Sequence, residues 1–458
     1  MARHLPDSKR FPLLSERGQS TLRRLREHPQ APRWNFPCGD RLDAAGLQSV
    51  RNFEAQLQTQ KPIYGAQQLP DWLPPFIQKC LADVPFYRAR NAAFDGDFQS
   101  LGKLATCSRA DLSREPWSFV PDSQELDELI MYYTSGTTGN AVSILSHPVV
   151  ASQYLPIFRY LLAKCGVSLE GATEQAPNRV SIVLACLQES TFTHATISSF
   201  LNEAGFVKLN LNPNEWQNPE DRARFLDDCD PEIYTGDPLS LSELARLNLQ
   251  TRPKAIISSA TSLLPSTRQE LEAHFACPVI DLYSTNETGP IAHAIEVDGQ
   301  SAHELICADL WVEIVREDGT PCAENERGEI AVSGGRNPFL PLLRYRTGDF
   351  AAMRFRTAAP PLLLDFEGRA PVVFRTFDGR EIANIDITHA LRHLLLTQFS
   401  LHQNADWSLR FRWRGEVNSE AIETILQSTL GQDLPLELEL IDDRAPITGK
   451  LITYSSDA

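Results

Sequence analysis

The segment KAIISSATSLLPSTRQELEAHFACPVIDLYSTNETG, residues 254–289, places the chain in the α/β class. Lys254 to Ser258 (KAIIS) reads as a buried strand, and Val279 to Tyr283 (VIDLY) reads as a second. Between them, Ser266 followed by Gln269 is a capping-box signature that opens a helix reaching Phe275. Strand, helix and strand in that order imply a right-handed crossover between parallel strands. Tyr283 to Glu287 then fall just beyond a strand's carboxyl end, where open α/β sheets bind their ligands.

Upstream, the apolar run Ile182 to Leu187 suits one buried strand, and Leu129 to Tyr133 (LIMYY) suits another. The second ends in Thr134, Ser135, Gly136, Thr137, Thr138 and Gly139 before a strand pattern resumes over Val142 to Leu145. Hydroxyl side chains and two glycines on one loop supply N–H and O–H donors able to wrap a polyphosphate, although a plain hairpin loop has the same composition. Downstream, Leu310, Val312 and Ile314 alternate, Asp318-Gly319 makes a turn, and Ile330 to Val332 returns as antiparallel sheet. Past Gly368 come a hairpin around Asp378-Gly379, a helix near Asp386 to Leu395, and a strand with Leu409, Phe411 and Trp413 alternating. Another helix follows, then alternation over Leu434 to Leu440. This describes a small α+β domain of about 90 residues, with its boundary near Glu367. The expected division is 1–70, an N-terminal extension without a legible role, then 71–366 and 367–458.

With 458 residues, 43 Lys+Arg against 59 Asp+Glu and a formal net charge of −16, the chain lacks the clustered cations that a nucleic acid or an anionic bilayer requires. Its 42% hydrophobic and 22% charged residues suit a folded protein of two or three domains rather than a disordered one. The first residues carry no apolar core of a signal peptide, and no later run approaches the ~20 apolar residues of a membrane span. Nine Cys, an odd number with no C-x-x-C pair, fit reduced thiols packed as small hydrophobes. A cytoplasmic protein is the expectation.

Five segments recur in a fixed order: Thr134 to Gly139, Tyr283-Ser284-Thr285-Asn286-Glu287-Thr288-Gly289, Arg344-Tyr345-Arg346-Thr347-Gly348-Asp349, Gly368-Arg369, and Thr448-Gly449-Lys450. In that order and spacing, the chain resembles the adenylate-forming superfamily of acyl-CoA synthetases, peptide-synthetase adenylation domains and luciferases. Val84-Pro85-Phe86-Tyr87-Arg88 followed by LGKLATCSRADL resembles the lead-in of its phenylacetate-CoA ligase branch. The resemblance covers roughly residues 72 to 452. It implies a large N-terminal domain of mixed and parallel sheets with helices and an antiparallel β subdomain, followed by a small mobile α+β domain.

It also implies ATP- and Mg²⁺-dependent activation of a carboxylic acid to an acyl-adenylate, with transfer to coenzyme A. The loop Thr134 to Gly139 would hold the β- and γ-phosphates, and Glu287 would coordinate Mg²⁺. Tyr283 would lie on the adenine, Asp281 would accept from its amino group, and Asn286 would sit beside the nucleotide. Asp349 would take the ribose hydroxyls, Arg369 would support ribose or phosphate, and Lys450 would offset charge at the adenylation step. Arg344 and Arg346 are open to a structural pairing with nearby acids. By analogy with the branch, the acid would be an aryl or arylacetic acid, with His194 and Ser259-Ala260 bordering its pocket.

The chain departs from the pattern at three places. Ala141-Val142-Ser143 stands where Pro-Lys-Gly is common, so the loop lysine is missing; Ser284 and Asn286 replace the usual Gly and Thr or Ser. Pro371 lies at or beside the usual hinge and would restrict rotation there. Two other readings stay open: delivery of the acyl group to a carrier protein or an amine, and a non-catalytic nucleotide-binding sensor. The oligomeric state is left open, a homodimer included.

Overall fold

The computed structural model describes residues 5–59, 68–90, 94–133, 142–368, 372–391, 393–442 and 453–458. In chain order the first strands are β1 (Cys107–Ser108), β2 (Ile130–Tyr133), β3 (Ser143–Ser146), β4 (Val180–Cys186), β5 (His194–Ser198), β6 (Ala204–Asn210), β7 (Ile233–Gly236) and β8 (Ala255–Ser259). They are followed by β9 (Val279–Thr285), β10 (Gly289–Val297), β11 (Gln300–Leu305), β12 (Leu310–Val315), β13 (Arg327–Gly334), β14 (Leu342–Arg356) and β15 (Ala359–Glu367).

Nearly every residue of β4 is buried, as expected of a strand covered on both faces. It runs parallel to β6 and β7, and β7, β8 and β9 continue in parallel. Alternation sends Ile182, Ile233, Ile257 and Ile280 to one core, with Phe53 and Leu57 of the helix Ala44–Thr59 and Phe158 and Leu161 of the helix Tyr154–Lys164. Val183, Tyr234, Ile256 and Val279 join the other, with Leu241 of the helix Pro238–Arg246 and Leu271 of the helix Pro265–Phe275. Helices on both faces of a parallel sheet make a doubly wound layer. The helix Ala44–Thr59 shows that part of the N-terminal segment, silent in the sequence, belongs to this core.

Beyond β9 the same hydrogen-bonded ladder turns antiparallel through β10, β11, β15, β14, β13 and β12, and β1 joins by pairing with β14, for 13 strands in all. β9 therefore has a parallel neighbour on one side and an antiparallel one on the other. The expected pairing of Leu310, Val312 and Ile314 with Ile330 to Val332 is present, with Ile314 opposite Ile330 and Val312 opposite Val332.

The C-terminal segment forms a smaller unit. It comprises β16 (Val373–Arg375), β17 (Glu381–Ala383), β18 (Gln398–Gln403), β19 (Leu409–Arg414), β20 (Leu436–Leu440) and β21 (Tyr454–Ser456). β16 and β17 make the hairpin around Asp378-Gly379, where Gly379 takes φ +82°. The other four form a sheet in the order β20, β19, β18, β21. Phe399, Phe411 and Trp413 pack with Ile422 and Leu426 of the helix Ser419–Leu430 into a core of its own. The fold is thus a large mixed α/β unit and a separate small α+β unit, as the order of elements implies.

Four local expectations are corrected. β2 is not a buried strand: among the described residues it pairs only with β3, and Met131 and Tyr132 are exposed, since no second layer of described residues lies over those side chains. Ser266 caps nothing. The helix starts at Pro265, whose fixed φ suits the first helical position, and the Ser266 and Thr267 hydroxyls donate instead to the Leu396 carbonyl at 3.3 and 3.4 Å. The helix near Asp386 ends at Leu391 rather than Leu395. His194 lies on β5, at the end of the ladder, with β6, β4, β7 and β8 between it and β9, so it does not border the β9 site.

Candidate active site

β9 supplies three of the expected residues because its last turn of ladder carries Asp281, Tyr283 and, past Thr285, Glu287. The strand does not end in an open loop. It folds straight back into β10, with Thr285 opposite Gly289 and Gly289 at φ +71°. Thr288 N–H donates to Thr285 Oγ1 at 3.1 Å, which fixes this tight reversal. The buried Arg336 braces it from below: its guanidinium is paired with Asp309 at 2.8 Å and also donates to the carbonyls of Pro290 and Thr288.

The reversal turns the Glu287 carboxylate inward, where it is 4% exposed. Arg109, the first residue of the helix Arg109–Arg114, donates to Glu287 Oε1 at 2.9 Å. The Tyr345 hydroxyl is a second partner of the same carboxylate. β1 brings Arg109 there, since Cys107 and Ser108 pair with Tyr345 and Arg346. Arg109 was missed in the sequence because it lies some 180 residues from Glu287, and only the SRADL lead-in hinted at it.

The Tyr283 hydroxyl donates to Asp349 Oδ2 at 2.7 Å, so β9 and β14 meet at this pair. The Tyr283 ring lies 4.3 Å from the Phe366 ring, which in turn lies 4.7 Å from His303. Burial and the Asp349 charge push the Tyr283 phenol far above its usual range. Asp349 is presented by the Thr347-Gly348 turn, in which Gly348 has φ +83° and donates to Glu329 at 2.9 Å. Burial raises Asp281 to about 7, against the opposing charge of Arg268. Asn286, at the tip of the reversal, is exposed.

Asp281, Tyr283, Asn286, Glu287 and Asp349 are thereby brought to one end of β9. Thr134 to Gly139, Arg369, Lys450 and Pro371 lie outside the described residues. Arg344 and Arg346 are both paired structurally. Arg344, 1% exposed, makes a two-pronged contact with Glu313 and donates to three carbonyls, while Arg346 holds Glu329 at 2.5 Å. The nine cysteines form no disulfide. Among the described residues no group of three or more His, Cys, Asp or Glu could hold a metal ion, and no helix is long and apolar enough to cross a membrane.

No family model matches the chain. A D-alanine--D-alanyl carrier protein ligase from Bacillus velezensis is 24% identical over 247 residues, 51% of this chain and 45% of that protein. The phenylacetate-coenzyme A ligase of Escherichia coli is 25% identical over 164 residues, 35% of this chain and 36% of that one. The chain thus spans less than half the length of either relative. A crystal structure of 2-hydroxyisobutyryl-CoA ligase, in the postadenylation state with 2-HIB-AMP, matches with a TM-score of 0.61 at 15% identity, covering 91% of this chain and 90% of that one. An open conformation of that ligase with 2-HIB-AMP and CoA matches with a TM-score of 0.53, also at 15% identity, covering 88% and 91%. Relatives in sequence and neighbours in fold are alike ligases of the adenylate-forming superfamily, and this chain carries that superfamily's fold.

Proposed function

We propose that the protein activates a carboxylic acid with ATP and passes the acyl group to the thiol of coenzyme A. A carboxylate oxygen attacks the α-phosphorus, the bond to pyrophosphate breaks, and the thiol then displaces AMP from the acyl-adenylate. The observation that carries this reading is the convergence on β9 of a buried carboxylate, Glu287, with the Tyr283-Asp349 pair. A ring with a hydroxyl fixed to a neighbouring acid would offer a face to a purine, and the two acceptor oxygens of the Asp349 carboxylate would take the ribose hydroxyls. Asp281, one row away, would accept from the exocyclic amino group, with Asn286 beside it.

A Mg²⁺ ion fits these residues. It is held by one or two carboxylates with substrate phosphates supplying further oxygens, and Glu287 is a single buried carboxylate with one oxygen engaged by Arg109. When bound, the ion would neutralise phosphate charge. The chain's own share is to hold Glu287 in place through Arg109 and Tyr345, and to orient the nucleotide through Tyr283 and Asp349. The Thr134 to Gly139 loop around the β- and γ-phosphates, Arg369 near ribose or phosphate, and Lys450 at the carboxylate and α-phosphate complete the proposal. So do the division at 71–366 and 367–458, the mobility of the smaller unit, an aryl or arylacetic acid, and a cytoplasmic setting.

A second acceptor is favoured by one observation: the match to the carrier-protein ligase is longer than the match to the coenzyme A ligase, 247 against 164 residues. A carrier-protein thiol is therefore the alternative to coenzyme A. The test is acid-dependent exchange of pyrophosphate into ATP with benzoic, arylacetic and fatty acids, beside Lys450→Ala. Exchange with an aryl acid, lost in the variant, supports the proposal. No exchange with any acid despite tight Mg·ATP binding removes it and favours a sensor.

A further inference from the structure

The reversal from β9 into β10 is weakly held by its own ladder. The second residue of the returning strand is Pro290, which has no N–H to give, and the register slips between Pro290 and Ala292. The carbonyls on this stretch are taken from outside. Arg336 Nη1 donates to that of Pro290 and, at 3.4 Å, to that of Thr288, the residue after Glu287. Nη1 also stands 3.6 Å from where a Cβ on Gly289 would lie, so the guanidinium fills the space beneath the turn.

The guanidinium is itself fixed on its other edge. Nε and Nη2 fork the Asp309 carboxylate, each at 2.8 Å, and the guanidinium carbon lies 5.7 Å from the centre of the Phe53 ring. The side chain is 4% exposed, and a charge buried that far persists only when paired and hydrogen-bonded. Three distant parts of the chain meet here: Asp309 precedes β12, Arg336 follows β13, and Phe53 comes from the helix Ala44–Thr59. The adjacent Asn337 amide donates to the Leu145 carbonyl of β3 at 2.8 Å, which anchors the segment that carries Arg336.

We propose that Arg336 is a positioning residue: forked by Asp309 and covered by Phe53, it fixes the backbone beside Glu287 and so aims that carboxylate at the cation of Mg·ATP. The inference rests on the adenylation reading and on its assignment of Glu287, and it gives the helix Ala44–Thr59 a task. Mg²⁺ demands near-ideal octahedral geometry, so a displaced carboxylate loses the cation before the nucleotide loses its other contacts. A lysine keeps the charge at this position, but its compact ammonium cannot fork Asp309 and reach two carbonyls on the opposite edge.

The test titrates the full chain by calorimetry with ATP in Mg²⁺, ATP in EDTA and AMP in EDTA. The ratio of the two ATP dissociation constants measures what the cation contributes, while AMP reports on Tyr283 and Asp349. Glu287→Gln, the control for the cation's ligand, should bring the ratio close to one. Arg336→Lys should lower the ratio about tenfold, with AMP affinity within about twofold of wild type. Phe53→Leu, which keeps most of the apolar volume, should lower it about two- to fivefold and decides the matter where Arg336→Lys fails to fold. An unchanged ratio in these variants, or AMP and Mg·ATP affinities that fall together, overturns the proposal. A ratio that Glu287→Gln leaves intact overturns the assignment of Glu287 to the cation, and a wild type that binds no nucleotide overturns the adenylation reading itself.

Discussion

Glu287 accepts from Arg109 and Tyr345 at once, so the divalent cation proposed for this carboxylate would share it with a fixed positive charge. Arg109→Ala deprives Glu287 of its charged partner among the described residues. Because the Arg109 side chain is about a third exposed, the stability loss belongs near the exposed-pair range, about 1 kcal/mol. The larger effect is on orientation: KM for Mg·ATP should rise about tenfold in exchange assays, with Arg109→Lys recovering part of it. Asp281 gives a pH signature. Its folded pKa, about 7, lies above the unfolded carboxylate value, so the native state binds the proton more tightly and loses stability as pH rises from about 4 through 7. Asp281→Asn removes this dependence. Its melting temperature relative to wild type should climb across that window and level off above it, by an amount equivalent to about 2 kcal/mol after allowance for partial solvent contact. Tyr283, Glu287 and Asp349 were legible in the sequence because short motifs mark them. Arg109 and Arg336 were not, since each acts on a residue far along the chain and has no signal of its own.

The crossover from β8 to β9 and the β12-β13 pair were read correctly because apolar periodicity and turn residues agree there. Periodicity failed at β2, where an apolar run lies on a two-stranded ribbon, and at Ser266, where a hydroxyl that looked like a cap serves the smaller unit instead. The direct return of β9 into β10 was also not foreseen. The residues Asn286 to Thr288 lack the usual Asn-Gly or Asp-Gly signature, and Arg336 supplies from outside what the turn lacks. β14 carries one fully buried ion pair, Arg344 with Glu313. Arg344→Met strands the buried Glu313 and leaves the carbonyls of Gly102, Leu104 and Gly319 without their donor. A loss of about 3 to 5 kcal/mol is expected, read as a lower urea midpoint with unchanged slope.

A net charge of −16 surrounds a site that, under the proposed function, would admit ATP and a carboxylate, both anions. At low salt the field opposes both encounters. Raising ionic strength from about 10 to 150 mM shortens its reach from about 30 to 8 Å, so kcat/KM for both substrates should rise a few-fold. A fall would show that local cations, not net charge, govern approach. The pairing of β1 with β14 has a consequence for synthesis. The Cys107 thiol donates to the Leu343 carbonyl across 236 residues, and the helices Leu73–Asp83 and Pro85–Arg90 pack onto Trp311, Leu340 and Leu343. At about 5 to 20 residues per second, a ribosome needs roughly ten seconds to most of a minute to deliver those partners. Throughout that interval Leu73, Ile77, Phe86 and Tyr87 emerge without the surface that covers them. The half of the site that carries Arg109 is therefore assembled only after β14 has left the exit tunnel.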